Sequence, residues 1–187
     1  EAIAAAKAEL IQSLPPDGLA VLNGDDERVL AMAEQTRARA VTFGQGPHCR
    51  VRADRVSTLG ADGIEFTVKY DGMSRRMRSP LLGRHSVYAC LAAAAVGMAE
   101  GLAWDDVEQG LQATGPGSRL RLFEAGGIRV LDDSYNAAPV SVLAALEVLG
   151  PMSGRRVAVL GVMLELGSHS EEGHRQVGRA LPQAADL

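Results

Sequence analysis

Lysine is nearly absent from this chain of 187 residues: Lys7 and Lys69 are the only two. Neither follows a glycine-rich turn, so the chain holds no loop of the Gly-x-x-Gly-Lys-Thr kind, which cradles phosphates with backbone N–H groups and a lysine. Turnover of a nucleoside triphosphate by these residues alone is therefore not expected. Aromatic residues are 4% of the chain, so a core must be built from Ala, Leu and Val. Cys49 and Cys90 are too few for a disulfide framework, and reduced, buried thiols are expected. The longest apolar helix candidate, residues 87–99, carries Tyr88 and Gly97 and is too short to span a bilayer. No basic segment with a cleavage site opens the chain, so no signal peptide is expected, and with reduced thiols a cytoplasmic protein is the expectation. The chain begins directly in an alanine-rich helix, as an internal fragment would. Seventeen arginines are scattered rather than clustered, and the net charge is −4. Both facts argue against a nucleic-acid binder, which must neutralise phosphates.

What is present is an α/β pattern. Residues 1–14 read as a helix ended by Pro15-Pro16-Asp17-Gly18. Residues 19–22 and 40–43 read as short strands, and Asp26 is placed to cap a helix running through Glu34. Residues 50–77 read as a β meander, with Ile64, Phe66 and Val68 alternating between glycine-containing turns. Helices follow over 84–100 and 104–112. The run 114–118, Thr-Gly-Pro-Gly-Ser, is the best linker and marks a domain boundary at 117/118. Beyond it come a hairpin (121–131), a helix, a strand (155–160) and a helix (171–185). That order predicts a parallel sheet with right-handed crossovers.

The most informative stretch is Asp132-Asp133-Ser134-Tyr135-Asn136-Ala137-Ala138-Pro139. It lies where a strand (127–131) gives way to a helix, with Pro139 suited to the first helical turn. In open α/β sheets ligands bind just outside the carboxyl ends of strands. One of Asp132, Ser134 or Asn136 would serve as a helix cap, but a cap does not account for five consecutive polar or amphipathic residues.

This block resembles the Asp-Asp-Ser-Tyr-Asn-Ala-Asn-Pro signature of the Mur ligases. The motifs at 4–10, 21–26, 83–85, 117–120, 161–167 and 174–178 occur in the family's order, so the resemblance runs nearly end to end. It implies the C-terminal part of a P-loop ATPase domain (1–117) followed by the start of a Rossmann-like domain (118–187). It also implies a peptidoglycan-precursor ligase using ATP and Mg2+, of the branch that joins D-alanyl-D-alanine to a UDP-N-acetylmuramoyl tripeptide through an acyl phosphate. A monomer is expected of the complete protein.

The resemblance assigns roles residue by residue. Lys7 matches a carbamylated lysine that helps hold magnesium, a cation preferring hard oxygen donors. By itself it reads as a solvated helix lysine. Asn23, His85 and Ser86 match nucleotide-side positions, and Asp133 matches the aspartate that accepts from the ribose hydroxyls. Arg119 matches the arginine that reaches the γ-phosphate on domain closure, a task suited to a permanently charged bidentate donor. Ser134, Tyr135 and Asn136 fall on the side of the incoming amino-acid substrate, and Tyr135 points to the D-alanyl-D-alanine branch. Glu165 and His174 are further substrate candidates. The sequence departs from the family at Ser86 and Ala89, where a His-Asn-x-x-Asn pattern has two carboxamides, at Ala138 for Asn, and at Val162 for Asp. A lost hydrogen bond costs about 0.5–1.5 kcal/mol. With the missing phosphate loop, these departures keep open an alternative: a catalytically dead nucleotide-binding or interaction module. A glutamate or folate relative is argued against by Tyr135-Asn136 and by the run 163–167.

Overall fold

The computed structural model describes residues 2–115 and 119–186; the boundary expected at 117/118 lies outside them. The described residues form two compact units. One comprises residues 1–57, 65–79 and 86–113; the other comprises 58–64, 80–85 and 114–187.

In the first unit, helix α1 (Ala2–Gln12) precedes strand β1 (Leu19–Asn23). Asp26 caps α2 (Glu27–Leu30), its Oδ1 accepting from Arg28 N at 2.9 Å, and the helix tightens into a 3-10 turn over Ala31–Gln35. Strands β2 (Arg39–Gly44), β3 (Val51–Thr58), β4 (Ile64–Tyr70) and β5 (Met73–Ser79) complete a five-stranded sheet in sequence order. β1 runs parallel to β2 from Leu19↔Arg39 to Asn23↔Phe43. β2 then pairs parallel with β3 through only Phe43↔Val51 and Gly44↔Arg52. Residues 45–50 alone make that connection, whereas an ordinary parallel crossover takes a dozen residues or more. Between β4 and β5 the turn residues Asp71 and Gly72 have φ of 46° and 79°, the left-handed pair of a tight hairpin turn.

Period-two alternation decides which side of β4 faces the core. Ile64, Phe66 and Val68 are fully buried, while Glu65 on the opposite face is ion-paired to Arg76 and Arg78 of β5. Those guanidinia, Arg76 first, hold the Glu65 carboxyl below its usual range. Helix α3 (Val87–Ala99) packs on β1 and β2, and α4 (Trp104–Ala113) packs on α3 and β5. The sequence of α3 is nearly all Ala and aliphatic, so its backbone comes close to its neighbours. A methyl group at Gly97 would stand 3.2 Å from Leu102 and Val107.

In the second unit, β6 (Arg121–Ala125) and β7 (Ile128–Asp132) form a two-stranded antiparallel hairpin. Helix α5 (Pro139–Leu149) begins at the expected proline and packs on α6 (Ser170–Ala184) through Leu146, Met163, Val177 and Ala184. Leu82, Leu120 and Val148 form a smaller cluster. The parallel sheet expected here is not formed: residues 155–160, expected as a strand, pair with no strand among the described residues. A strand exists through its ladder, and without partners Val157, Val159, Leu160, Val162 and Leu164 stay exposed. Among the described residues no helix is long and apolar enough to cross a membrane.

Phe66 is 1% exposed. Phe66→Ala is expected to destabilise the first unit by about 3–5 kcal/mol, since the removed ring leaves a cavity. Urea unfolding followed by circular dichroism measures it.

Candidate functional site

The turn after β7 carries the signature residues as a cluster with its own internal order. Asp132, the last residue of β7, accepts the Ser134 N–H at 3.0 Å, and the Ser134 hydroxyl and N–H together hold its carboxyl below the usual range. Asp133 is half-buried, and its Oδ1 accepts from Leu120 N at 3.1 Å. That bond ties the β7 exit to the segment entering β6, where Leu120 itself takes a left-handed φ of 48°. Ser134, Tyr135 and Asn136 are exposed. The guanidinium of Arg119 lies over the ring of Tyr135, 5.3 Å from its centroid. A cation over a π face is attracted by the ring quadrupole and held in one orientation. Arg119, Asp133 and Tyr135 thus share one corner of the second unit.

The cap reading of this block does not hold. The residue preceding α5 is Ala138, and the free end of the helix is served instead by Ser141, whose hydroxyl accepts from Ala138 N and donates to Ala138 O, both at 3.0 Å. None of Asp132, Ser134 or Asn136 caps α5.

Other expected site residues are placed less tightly. Lys7 is exposed on α1 and makes no ion pair among the described residues, and no group of carboxylates gathers round it there. Magnesium needs several oxygen donors; a carbamate at Lys7 would be a single donor, so the described residues do not by themselves make a magnesium site. His85 lies exposed in the 3-10 turn Arg84–Ser86, reached through Gly83 at φ 81°, where a side chain would run into the His85 ring. Ser86 precedes α3. His174 is tied to the backbone. Its Nδ1–H donates to Ser170 O at 2.7 Å and its Nε2 accepts from Met163 N at 3.2 Å, so both nitrogens are spent holding the 161–167 turn to α6.

Asn23 closes β1, and its Oδ1 accepts from Asp25 N at 3.1 Å. That turn aims Asp25 at the β2–β3 link. The Asp25 carboxylate accepts from Gln45 N at 2.6 Å, Gly46 N at 2.8 Å, the Tyr88 hydroxyl at 2.9 Å and the Cys49 thiol at 3.6 Å. Burial pushes the Asp25 carboxyl up, but these donors outweigh it and the net shift is downward. Burial, then the Asp25 charge, push the Cys49 thiol up to about 11. His48 Nε2 donates to Gly24 O at 2.7 Å. By sequence alone Asp25 lies in a loop after a strand, a position that suits a ligand or a turn equally, and Cys49 reads as a buried thiol. That reading missed that they meet, because residues 25 and 49 are brought together only by the tight link between two parallel strands.

With this geometry in view, the relatives of the chain can be set beside it. The Mur ligase middle domain family matches residues 1–97, and the Mur ligase glutamate ligase domain family matches residues 118–187. The chain belongs to the Mur ligases. It is similar to the UDP-N-acetylmuramoyl-tripeptide–D-alanyl-D-alanine ligases of Escherichia coli (37% identical over 97% of this chain and 41% of that protein) and of Bacillus subtilis (35%, over 97% and 39%). Among solved structures it superposes on MurF from Acinetobacter baumannii with a TM-score of 0.85 at 30% identity, covering 98% of this chain and 41% of that one. A MurF ligase from Thermotoga maritima, solved in complex with ADP, shares the fold at a TM-score of 0.81 and 22% identity, over 96% and 41%. The chain thus spans about two fifths of the length of these relatives.

Asp25→Asn keeps the side chain's shape but loses the charge that four donors converge on. It is expected to lower stability at neutral pH by about 1 kcal/mol, a charge-assisted bond discounted for solvent screening. Because the native Asp25 pKa is lowered, its contribution is in full force above the ordinary carboxylate range and fades as pH falls through that range toward the native value. The gap between wild type and variant, read from thermal unfolding at a series of pH values, is expected to close with acid.

Proposed function

We propose that this chain is part of a cytoplasmic, ATP-dependent peptide ligase of peptidoglycan precursor synthesis, monomeric when complete, that joins D-alanyl-D-alanine to a UDP-N-acetylmuramoyl tripeptide. Residues 1–117 belong to its ATP-binding domain and 118–187 to its C-terminal domain. The observation that carries the reading is the uncapped polar turn after β7, with Arg119 stacked on Tyr135 and Asp133 anchored beside it.

In the reaction, the terminal carboxylate of the tripeptide attacks the γ-phosphorus of ATP, giving an acyl phosphate and ADP. The amine of the dipeptide then adds to the acyl carbon, and collapse of the tetrahedral adduct forms the amide and expels phosphate. Such catalysis is mostly positioning and charge neutralisation. Arg119 supplies a permanent, bidentate positive charge to the transferred phosphoryl group. Its stacking on Tyr135 limits the rotamers lost when it engages. Asp133 has one oxygen committed to Leu120 N, which leaves Oδ2 to accept from a ribose hydroxyl. Ser134, Tyr135 and Asn136 present a hydroxyl, a phenol and a carboxamide to the dipeptide. Asn23, His85 and Ser86 contact the nucleotide, and a carbamate on Lys7 would contribute one oxygen to a magnesium ion. The phosphate cradle itself is not supplied by these residues. The second reading, a catalytically dead module, draws on exposed Ala89 at a position where the family has a carboxamide.

In a ligase completed with an upstream phosphate loop, Arg119→Ala is expected to lower kcat by about a hundredfold or more, in line with removing one donor aimed at developing charge. Asp133→Ala is expected to raise KM for ATP about tenfold to a hundredfold, the cost of a hydrogen bond to a charged group, with a smaller change in kcat. Steady-state phosphate release measures both. A completed enzyme that binds ATP but releases no phosphate would establish the module reading instead.

A further inference from the structure

Asp25, His48 and Cys49 take no part in the reaction proposed above, yet they converge. Asp25 follows β1, and His48 and Cys49 lead into β3. Each offers one ligand atom, and the three atoms lie within 4.8 Å of one another. We infer that Asp25, His48 and Cys49 form a site for a thiophilic divalent cation, zinc by the chemistry of the donors, with water in the fourth position.

Three features of the geometry carry this. Cys49 Sγ and Asp25 Oδ1 are 3.6 Å apart. A tetrahedral zinc with Zn–S of about 2.3 Å and Zn–O of about 2.0 Å separates such a pair by about 3.5 Å, so these two ligands already stand at bonding separation. Next, the Gly24 carbonyl can only accept, so His48 Nε2 carries a proton, and in the neutral imidazole Nδ1 is then the nitrogen with a lone pair for a metal. A metal-binding imidazole commonly donates its other N–H to a backbone carbonyl in this way. Nδ1 and Asp25 Oδ1 flank the same face of Gly46, at 3.1 and 2.7 Å from where its Cβ would stand. Last, glycines border the three donors and leave room at them. A Cβ at Gly24 would come within 2.7 Å of Cys49 Sγ, and one at Gly44 within 2.7 Å of the Asp25 carboxylate.

The exchange balances. Zinc replaces the proton now shared between Sγ and Oδ1: the S–H bond breaks, the S–Zn bond forms, and one proton leaves to solvent. The carboxylate keeps its bonds from Gln45 N, Gly46 N and the Tyr88 hydroxyl, which then orient it from behind. Asp25 and His48 face solvent, giving an ion a route in, while Cys49 is buried. A thiolate with an imidazole favours zinc over magnesium, so this site is chemically distinct from any that serves ATP. The bound ion ties the end of β1 to the start of β3.

Cobalt(II) titration of the purified protein tests this, since a cobalt–thiolate bond absorbs in the near ultraviolet and tetrahedral cobalt in the visible. One equivalent of cobalt is expected to bring up both bands, and zinc chloride to abolish them stoichiometrically. Cys49→Ser is expected to remove the thiolate band, His48→Gln to weaken binding about tenfold or more, and Cys90→Ser to change nothing. Zinc is also expected to raise the melting temperature of the wild type and not of Cys49→Ser, both first shown to be folded without metal. No cobalt bands in the wild type, or a thiolate band that survives Cys49→Ser or moves with Cys90→Ser, overturns the site. Should Cys49→Ser fail to fold, exposed His48→Gln decides: unchanged affinity there overturns it. None of these readouts depends on ligase activity.

Discussion

The Asp25 carboxylate meets a problem of chain geometry. β2 and β3 point the same way, yet only residues 45–50 join them, so the chain must turn back within a span too short for a helix. Amides in such a bend are left without ladder partners. Asp25 accepts two of them, Gln45 and Gly46, from the end of the adjacent strand. One side chain thereby lets a parallel pair continue into the β3–β4–β5 part of the sheet, with the sheet order following the chain order. The absence of side chains at Gly24, Gly44 and Gly46 is the steric counterpart of that arrangement, because a Cβ at any of them would meet Asp25, His48 or Cys49 at less than 3 Å.

In the second unit the same economy works differently. The helix after the signature turn takes its local hydrogen bonds from Ser141, and the signature residues are not needed to cap it. What remains is a set of groups held by one another: Asp132 by Ser134, Asp133 by Leu120, Arg119 by Tyr135. These contacts fix the orientation of the cluster within the second unit. His174 shows the converse. A histidine beside a glycine-rich turn invites a chemical reading, but both of its nitrogens are occupied by backbone.

The two units also differ in how their apolar patterns are satisfied. β4 lies between β3 and β5 in the sheet, and its alternating Ile64, Phe66 and Val68 are buried. The apolar run 157–160 has no strand to pair with among the described residues, and Val159 stays 93% exposed. An apolar stretch is therefore not buried by its composition alone, since a strand's core face is created by what packs on it.

The sequence by itself determined the local elements and the family. The caps, prolines and tight turns placed α1, the starts of α2 and α5, and the hairpins within a residue or two, because those signals act over three or four positions. The ordered motifs marked Asp133, Tyr135 and their neighbours as the polar turn of a Mur ligase. Tertiary structure alone decided that Asp25, His48 and Cys49 meet, that Ser141 and not the signature residues serves α5, and that residues 155–164 form no strand. Each of these rests on contacts between chemically ordinary residues or on the partners a strand finds, and no local pattern encodes where a tight link between parallel strands will bring position 49 against position 25.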